Sequence, residues 1–146
     1  MLTETNKTVS RRFFEEVFGN GKLNLLDEII AKDHVNNGPG SLPGLPTGPE
    51  GAKQIVTLYR NAFPDVQFTI DEQLAEGDKV MTRWTAHGTH QGELQGLPAT
   101  GKSSTVTGIA VDRIVDGKIA ETWGIFDYFA MMQQLGVIPT PEVAVK

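Results

Sequence analysis

The sequence of 146 residues contains no cysteine. That absence removes disulfides, thiolate nucleophiles and thiolate metal sites together, so any chemistry falls to carboxylates, histidines, hydroxyls and amides. Basic clusters are also missing: 18 acidic residues stand against 13 lysines and arginines, for a net charge of -5. No stretch could neutralise several phosphates, which argues against nucleic acid as a partner. No window approaches the roughly 18 consecutive apolar residues of a membrane span, and Met1-Leu2-Thr3-Glu4-Thr5-Asn6 lacks the charged-then-apolar order of a signal peptide. The expectation is a cytoplasmic protein without a membrane partner. The 3 histidines have no metal-ligand spacing, and the chain carries neither a Gly-rich phosphate loop nor a dinucleotide fingerprint nor a defensible Ser-His-Asp order. No metal and no cofactor are expected.

What is present is enough apolar material, 39% of residues, to bury the core of a single domain over residues 1–146. From Thr3 to Phe18, Val9, Phe13, Phe14, Val17 and Phe18 fall at helical spacing, with Thr3 as N-cap. Leu23, Leu26, Ile29 and Ile30 predict a short second helix ending near Lys32, and His34-Val35-Asn36-Asn37 a short extended piece. The Gly- and Pro-rich run Gly38 to Gly48 excludes helix and central strand; it either rims a cavity mouth or is a rigid surface loop. A third helix starts at Pro49 and carries Ala52, Ile55, Val56, Tyr59 and Phe63 on one face.

Past Phe63-Pro64-Asp65 the period changes from 3.6 to 2, predicting strands at Val66–Leu74, Lys79–Thr89, Ser103–Val115 and Lys118–Phe126. Turns at Glu76-Gly77-Asp78 and Asp116-Gly117 make an antiparallel four-stranded meander. A tail segment, Tyr128–Leu135, ends at Gly136 before Pro139 and Pro141, and the last five or so residues are expected to be loose. Helices followed by strands give an α+β fold. A twisted sheet curling over helices on one face leaves part of its concave side uncovered, as an apolar cavity.

Gly88-Thr89-His90-Gln91-Gly92-Glu93-Leu94, Leu97-Pro98-Ala99-Thr100-Gly101-Lys102, and Glu121-Thr122-Trp123-Gly124-Ile125-Phe126-Asp127 before Met131-Met132-Gln133-Gln134-Leu135-Gly136 follow in an order that resembles the SnoaL-like polyketide cyclases, a branch of the nuclear-transport-factor-two-like superfamily. The resemblance spans roughly Asn6 to Gly136. It implies a cone-shaped curved antiparallel sheet packed on three N-terminal helices. It further implies a homodimer formed through the outer sheet face, where Met81, Trp123 and Ile125 would sit, and a small apolar molecule as ligand. The activity implied is cofactor-free cyclase, isomerase or lyase chemistry on a bulky polyketide-like substrate, or a hydroxylase-like reaction. In the family the acid/base Asp follows the Trp of a His-Trp-Asp triplet, whereas here the triplet is Thr122-Trp123-Gly124. The apparent loss of that carboxylate favours an alternative, a non-catalytic protein that binds an apolar metabolite.

If Asp116-Gly117 forms a three-residue turn with a bulge, Ile114 pairs with Lys118, Ala110 opposes Thr122 and Gly108 opposes Gly124, all four on one face. The resemblance places the substrate beside these four positions. A two-residue turn would shift the pairing by one.

Two ionisable groups stand as catalytic candidates. Asp127, at a strand end, is either a half-buried base or the N-cap of the tail. His90 either relays a proton or hydrogen-bonds the backbone of the Gln91–Thr100 loop. Asn36 and Asn37 could orient a carbonyl or make a turn, and Tyr59, Phe63, Trp84 and Phe126 could sandwich a planar ligand or pack the core. Asp112 is a weaker candidate: on the face of Ala110 it would be a buried carboxylate needing a partner. His34 and His87 are weaker than His90.

Overall fold

The computed structural model describes residues 2–38 and 42–139. The expected loose C-terminal end and the Pro39-Gly40-Ser41 part of the Gly/Pro segment lie outside the described residues. Among the described residues, four α-helices pack against a curved, unclosed five-stranded sheet.

Helix α1 (Leu2–Arg12) runs into a wider π-helical turn, Phe13–Phe18, marked by the Gly19 N–H donating to the Phe14 carbonyl at 2.9 Å. The spacing predicts one regular helix to Phe18. The π turn admits an extra residue per turn, and it swings Phe13, Phe14 and Phe18 together, with ring centroids 5.4 and 6.1 Å apart about Phe13. The second helix is shorter than expected. A single 3₁₀ turn, Leu23–Leu25, leads into α2 (Leu26–Ile29), and strand β1 (Ile30–Asn37) begins where helix is expected to continue to Lys32. Helix α3 (Pro49–Ala62) opens with Pro49 in its first turn, as its fixed φ favours.

The remaining elements are β2 (Gln67–Glu76), β3 (Lys79–Thr89), β4 (Ser103–Val115), β5 (Lys118–Phe126) and α4 (Tyr128–Gln134). The sheet order is β1-β5-β4-β3-β2. The four-stranded meander is therefore one strand short of the sheet: β1 joins β5 in parallel, pairing Asn36 with Thr122 and Asn37 with Trp123.

The β4–β5 pairing also differs from the expected register. Asp116 (φ 50°) and Gly117 (φ 78°) form a two-residue turn in which both central residues are left-handed, the geometry that suits the twist of a hairpin, so Val115 opposes Lys118. Ala120 is then bulged, because Ile114 opposes Ile119 while Arg113 opposes Glu121. Turn and bulge together shift the partners by two. The four residues keep a common face while Ala110 comes to oppose Gly124 and Asp112 to oppose Thr122.

The inward row of β4 (Ser104, Val106, Gly108, Ala110, Asp112, Ile114) is buried throughout, in step with the two-residue period of a strand. The core gathers Val17, Leu26, Ile29, Val56, Val80 and Ile119 between helices and sheet. Outward, Leu74, Met81, Val111 and Trp123 align across four strands through successive pairings, and Leu74 and Trp123 are exposed. Among the described residues no helix is long and apolar enough to cross a membrane.

Candidate functional site

A cavity of about 170 Å³ lies between the concave sheet face and the helices, partly open to solvent. One end is aromatic. The Phe68 ring lies tilted 4.6 Å from Phe18 and 5.2 Å from Trp84, and Phe126 lies tilted 6.1 Å from Trp84 and edge-on 5.9 Å from Tyr59. Aromatic contacts of this kind would also accept a flat ligand on the same wall. Burial pushes the Tyr59 hydroxyl up to about 12, with a smaller contribution from Tyr128, so it is neutral at any physiological pH.

The other end is polar. Asp112 on β4 is almost wholly buried, and its two oxygens are separately held: Ser10 Oγ, on α1, donates to Oδ2 at 2.7 Å, and Thr122 Oγ1, on β5, donates to Oδ1 at 2.7 Å. His34 on β1 brings Nε2 to 3.0 Å from the same Thr122 hydroxyl. Asp112, Thr122 and His34 all line the cavity. Burial pushes the Asp112 carboxyl up to about 6, outweighing the two hydroxyls that favour its ionised form. His34 is lowered by burial, against the pull of Glu121 and Asp33. A carboxylic acid and an imidazole, joined through one hydroxyl at a cavity wall, can take up and release protons near neutral pH.

The residues anticipated from sequence divide between cavity and elsewhere. Asn36, Tyr59, Phe63 and Trp84 line the cavity, as do Ala110, Thr122, Gly124 and Phe126. Asn37 turns to the other side of the sheet, where Nδ2 donates to Glu121 at 2.8 Å. Gly108 lies beneath the Trp84 indole, and a Cβ there would meet Cζ2 at 2.2 Å. Gly124 is open, with a Cβ meeting nothing nearer than the Ile109 carbonyl at 4.0 Å.

Neither catalytic candidate is among the cavity-lining residues. Asp127 Oδ1 accepts from the Ala130 N–H at 3.0 Å, at the N-terminus of α4. His90 is fully buried, with Nδ1 accepting from the Thr100 N–H at 3.1 Å and lying 3.0 Å from its hydroxyl. His87, exposed at the rim, does line the cavity, and its Nδ1 meets the Thr105 hydroxyl across the strands at 2.7 Å. The Gly/Pro segment frames the polar end: Gly38 packs on the Gly124 backbone, and Gly48 donates to the His34 carbonyl at 2.9 Å. Residues 42–48 themselves do not line the cavity.

His34 and Asp112, the weaker candidates by sequence, both reach the cavity wall. Strand alternation was the available signal for Asp112, since it sets one carboxylate in an otherwise uncharged inward row. His34 had no such signal, because the parallel pairing of β1 with β5 brings it to Thr122 across 88 positions of sequence. Among the described residues no three His, Cys, Asp or Glu side chains converge as a metal site would need.

The family model for SnoaL-like polyketide cyclase matches residues 8–135. Among curated proteins, the chain is 35% identical over 131 residues to the aklanonic acid methyl ester cyclase of Streptomyces peucetius, covering 87% of this chain and 89% of that one. It is 31% identical over 121 residues to the nogalonic acid methyl ester cyclase of Streptomyces nogalater, covering 82% and 89%. Among solved structures, TsrD from Streptomyces laurentii superposes with a TM-score of 0.82 at 26% identity, over 92% of this chain and 97% of that one. IdmH from Streptomyces antibioticus superposes at 0.78 with 36% identity, over 90% and 99%.

Proposed function

Because the chain belongs to the SnoaL-like polyketide cyclase family, we propose that it is a cofactor-independent enzyme that closes or isomerises a ring in a bulky, apolar, polyketide-like small molecule by acid/base chemistry. The observation that carries this reading is the Asp112–Thr122–His34 cluster at the wall of a cavity whose other end is aromatic. An intramolecular aldol closure needs a base to remove a proton from a carbon acidified by neighbouring carbonyls. The resulting carbanion forms the new C–C bond, and the attacked carbonyl becomes an alkoxide that must be protonated. In this reading Asp112 is the base and His34 the acid, and Asp112 supplies from β4 the carboxylate that Gly124 does not supply from β5. Aromatic rings at the other end of the cavity hold the planar part of the substrate.

Among the described residues no lysine or arginine lines the cavity, while Asp112 does. An anionic ligand would meet a largely apolar site with no permanent positive charge, so a neutral ester is the favoured substrate form. The relatives' substrates, methyl esters of aklanonic and nogalonic acid, are the first compounds to try. The open notch at Ala110 and Gly124 favours the second reading, a binder with room for a ligand and no turnover. The apolar row Leu74, Met81, Val111 and Trp123 supports a homodimer through the outer sheet face.

Incubation of the purified protein with each methyl ester, followed by chromatographic separation of open and cyclised forms, tests the proposal. Multiple turnovers are expected. Stoichiometric retention of the ester in native mass spectrometry, without product, would replace the enzyme by the binder.

A further inference from the structure

The polar end of the cavity is more specific than a carboxylate near a histidine. A hydroxyl has one proton to donate and lone pairs to accept with, and the Thr122 hydroxyl sits between two groups that each can either give or take a proton. The three side chains come from three adjacent strands, β4, β5 and β1, whose backbone ladders fix their spacing. Ser10 occupies the second oxygen of Asp112 at 2.7 Å, which turns Oδ1 toward Thr122.

We propose that the Thr122 hydroxyl is a proton relay between Asp112 and His34, linking the two groups into one acid/base unit. Two hydrogen-bond directions satisfy all three groups. In one, Asp112 is ionised, Thr122 donates to it, and His34 Nε2–H donates to Thr122. In the other, Asp112 is protonated and donates to Thr122, whose proton points at the bare Nε2 of His34. Passage between them moves one proton: the Asp112 O–H bond breaks as an O–H bond forms on Thr122, and the original Thr122 O–H breaks as an N–H forms on His34. The hydroxyl is regenerated facing the other way, with Asp112 ionised and His34 cationic.

This inference rests on the proposed acid/base reading and adds how the unit resets. After Asp112 has taken the proton from carbon and His34 has given its Nε2 proton to the alkoxide, Asp112 is protonated and His34 is neutral with Nε2 bare. Transfer through Thr122 restores the starting charges, so ring closure consumes no net proton. Burial disfavours the charged form of each group, raising Asp112 and lowering His34, so neither charge is held by its surroundings alone. The groups facing the unit are Ser10 and Thr122 on Asp112, and Glu121 and Asp33 on His34, whose charges favour the imidazolium without cancelling its burial.

The test uses the full chain labelled with ¹⁵N-histidine and followed by nuclear magnetic resonance from about pH 5 to pH 8 without ligand, the His34 signals being assigned with His34→Gln. In the wild type, neutral His34 is expected as the Nε2–H tautomer once Asp112 has ionised, with its nitrogens responding to the Asp112 titration. Thr122→Val keeps the side-chain shape but removes the relay, and is expected to lose both the tautomer preference and that response. Thr122→Ser restores them. With a turned-over ester, Thr122→Val is expected to lower kcat at least tenfold with KM unchanged, and Thr122→Ser to recover it.

A wild-type Nδ1–H tautomer at neutral pH, or a Thr122→Val protein with unchanged His34 signals or unchanged kcat, overturns the relay. Absence of turnover on every ester overturns the enzymatic reading alone, because the ligand-free spectra decide the relay independently.

Discussion

The two ends of the β4–β5 hairpin each carry a carboxylate, and the two have opposite circumstances. Asp112, near the turn, faces the concave side, is buried, and is raised to about 6 with hydroxyls on both oxygens. Asp127, one residue beyond β5, caps the first turn of α4. The same division holds for the histidines. His34 reaches the cavity and Thr122, whereas His90 is fully buried beside Phe63, rings 5.5 Å apart, and is tied to Thr100. Proximity in sequence to the motif that marks the family therefore does not by itself place a group in the cavity. What matters is whether strand parity and the curl of the sheet aim a group at the cavity.

Several substitutions would break or sharpen this contrast. The largest expected effect is that of Asp112→Asn on turnover, a fall in kcat of about 10²- to 10⁴-fold, the usual contribution of a positioned general acid/base, measured in the ester cyclisation assay. Equal rates for Asp112→Asn and wild type would erase the distinction between the two carboxylates. Stability against pH gives a second contrast. Asp112 binds its proton more tightly in the folded chain than at its ordinary 3.8, so its contribution favours the native state at low pH and is lost as pH rises from about 3.8 to about 6. The stability difference between wild type and Asp112→Asn should therefore drift by roughly 3 kcal/mol across that window in urea unfolding. His34, lowered from 6.5, contributes the opposite trend in both proteins.

A smaller effect is expected at the cavity wall. Gly108→Ala would place a Cβ 2.2 Å from Trp84 Cζ2, forcing the indole off its seat and costing about 1 to 3 kcal/mol, read by denaturant unfolding and by a changed Trp emission spectrum. The smallest is Asp127→Ala, which removes the cap of a short helix for about 1 kcal/mol of stability and is expected to leave kcat unchanged.

The strands β3, β4 and β5 were legible to the residue because alternation and the turn residues at Gly77 and Gly117 both mark their limits. Helix α3 was legible from Pro49 and its apolar stripe. Strand β1 was legible only in its second half, His34 to Asn37, since Ile29 and Ile30 continue a helical spacing and only the long-range pairing with β5 makes Ile30 extended. The bulge at Ala120 left no local mark either, yet it places Thr122 opposite Asp112 and so assembles the polar end of the cavity. The aromatic wall could be named from spacing and alternation, while the Asp112–Thr122–His34 cluster depended on a register shift and a parallel strand, both products of tertiary packing.

The measurement that bears most directly on where the chemistry lies is kcat on one accepted methyl ester for wild type, Asp112→Asn and Asp127→Ala side by side, with folding of each confirmed by circular dichroism. The account predicts that Asp112→Asn falls by at least a hundredfold while Asp127→Ala keeps the wild-type rate. A wild-type rate for Asp112→Asn together with a collapse for Asp127→Ala would contradict it and move the acid/base group to the strand end.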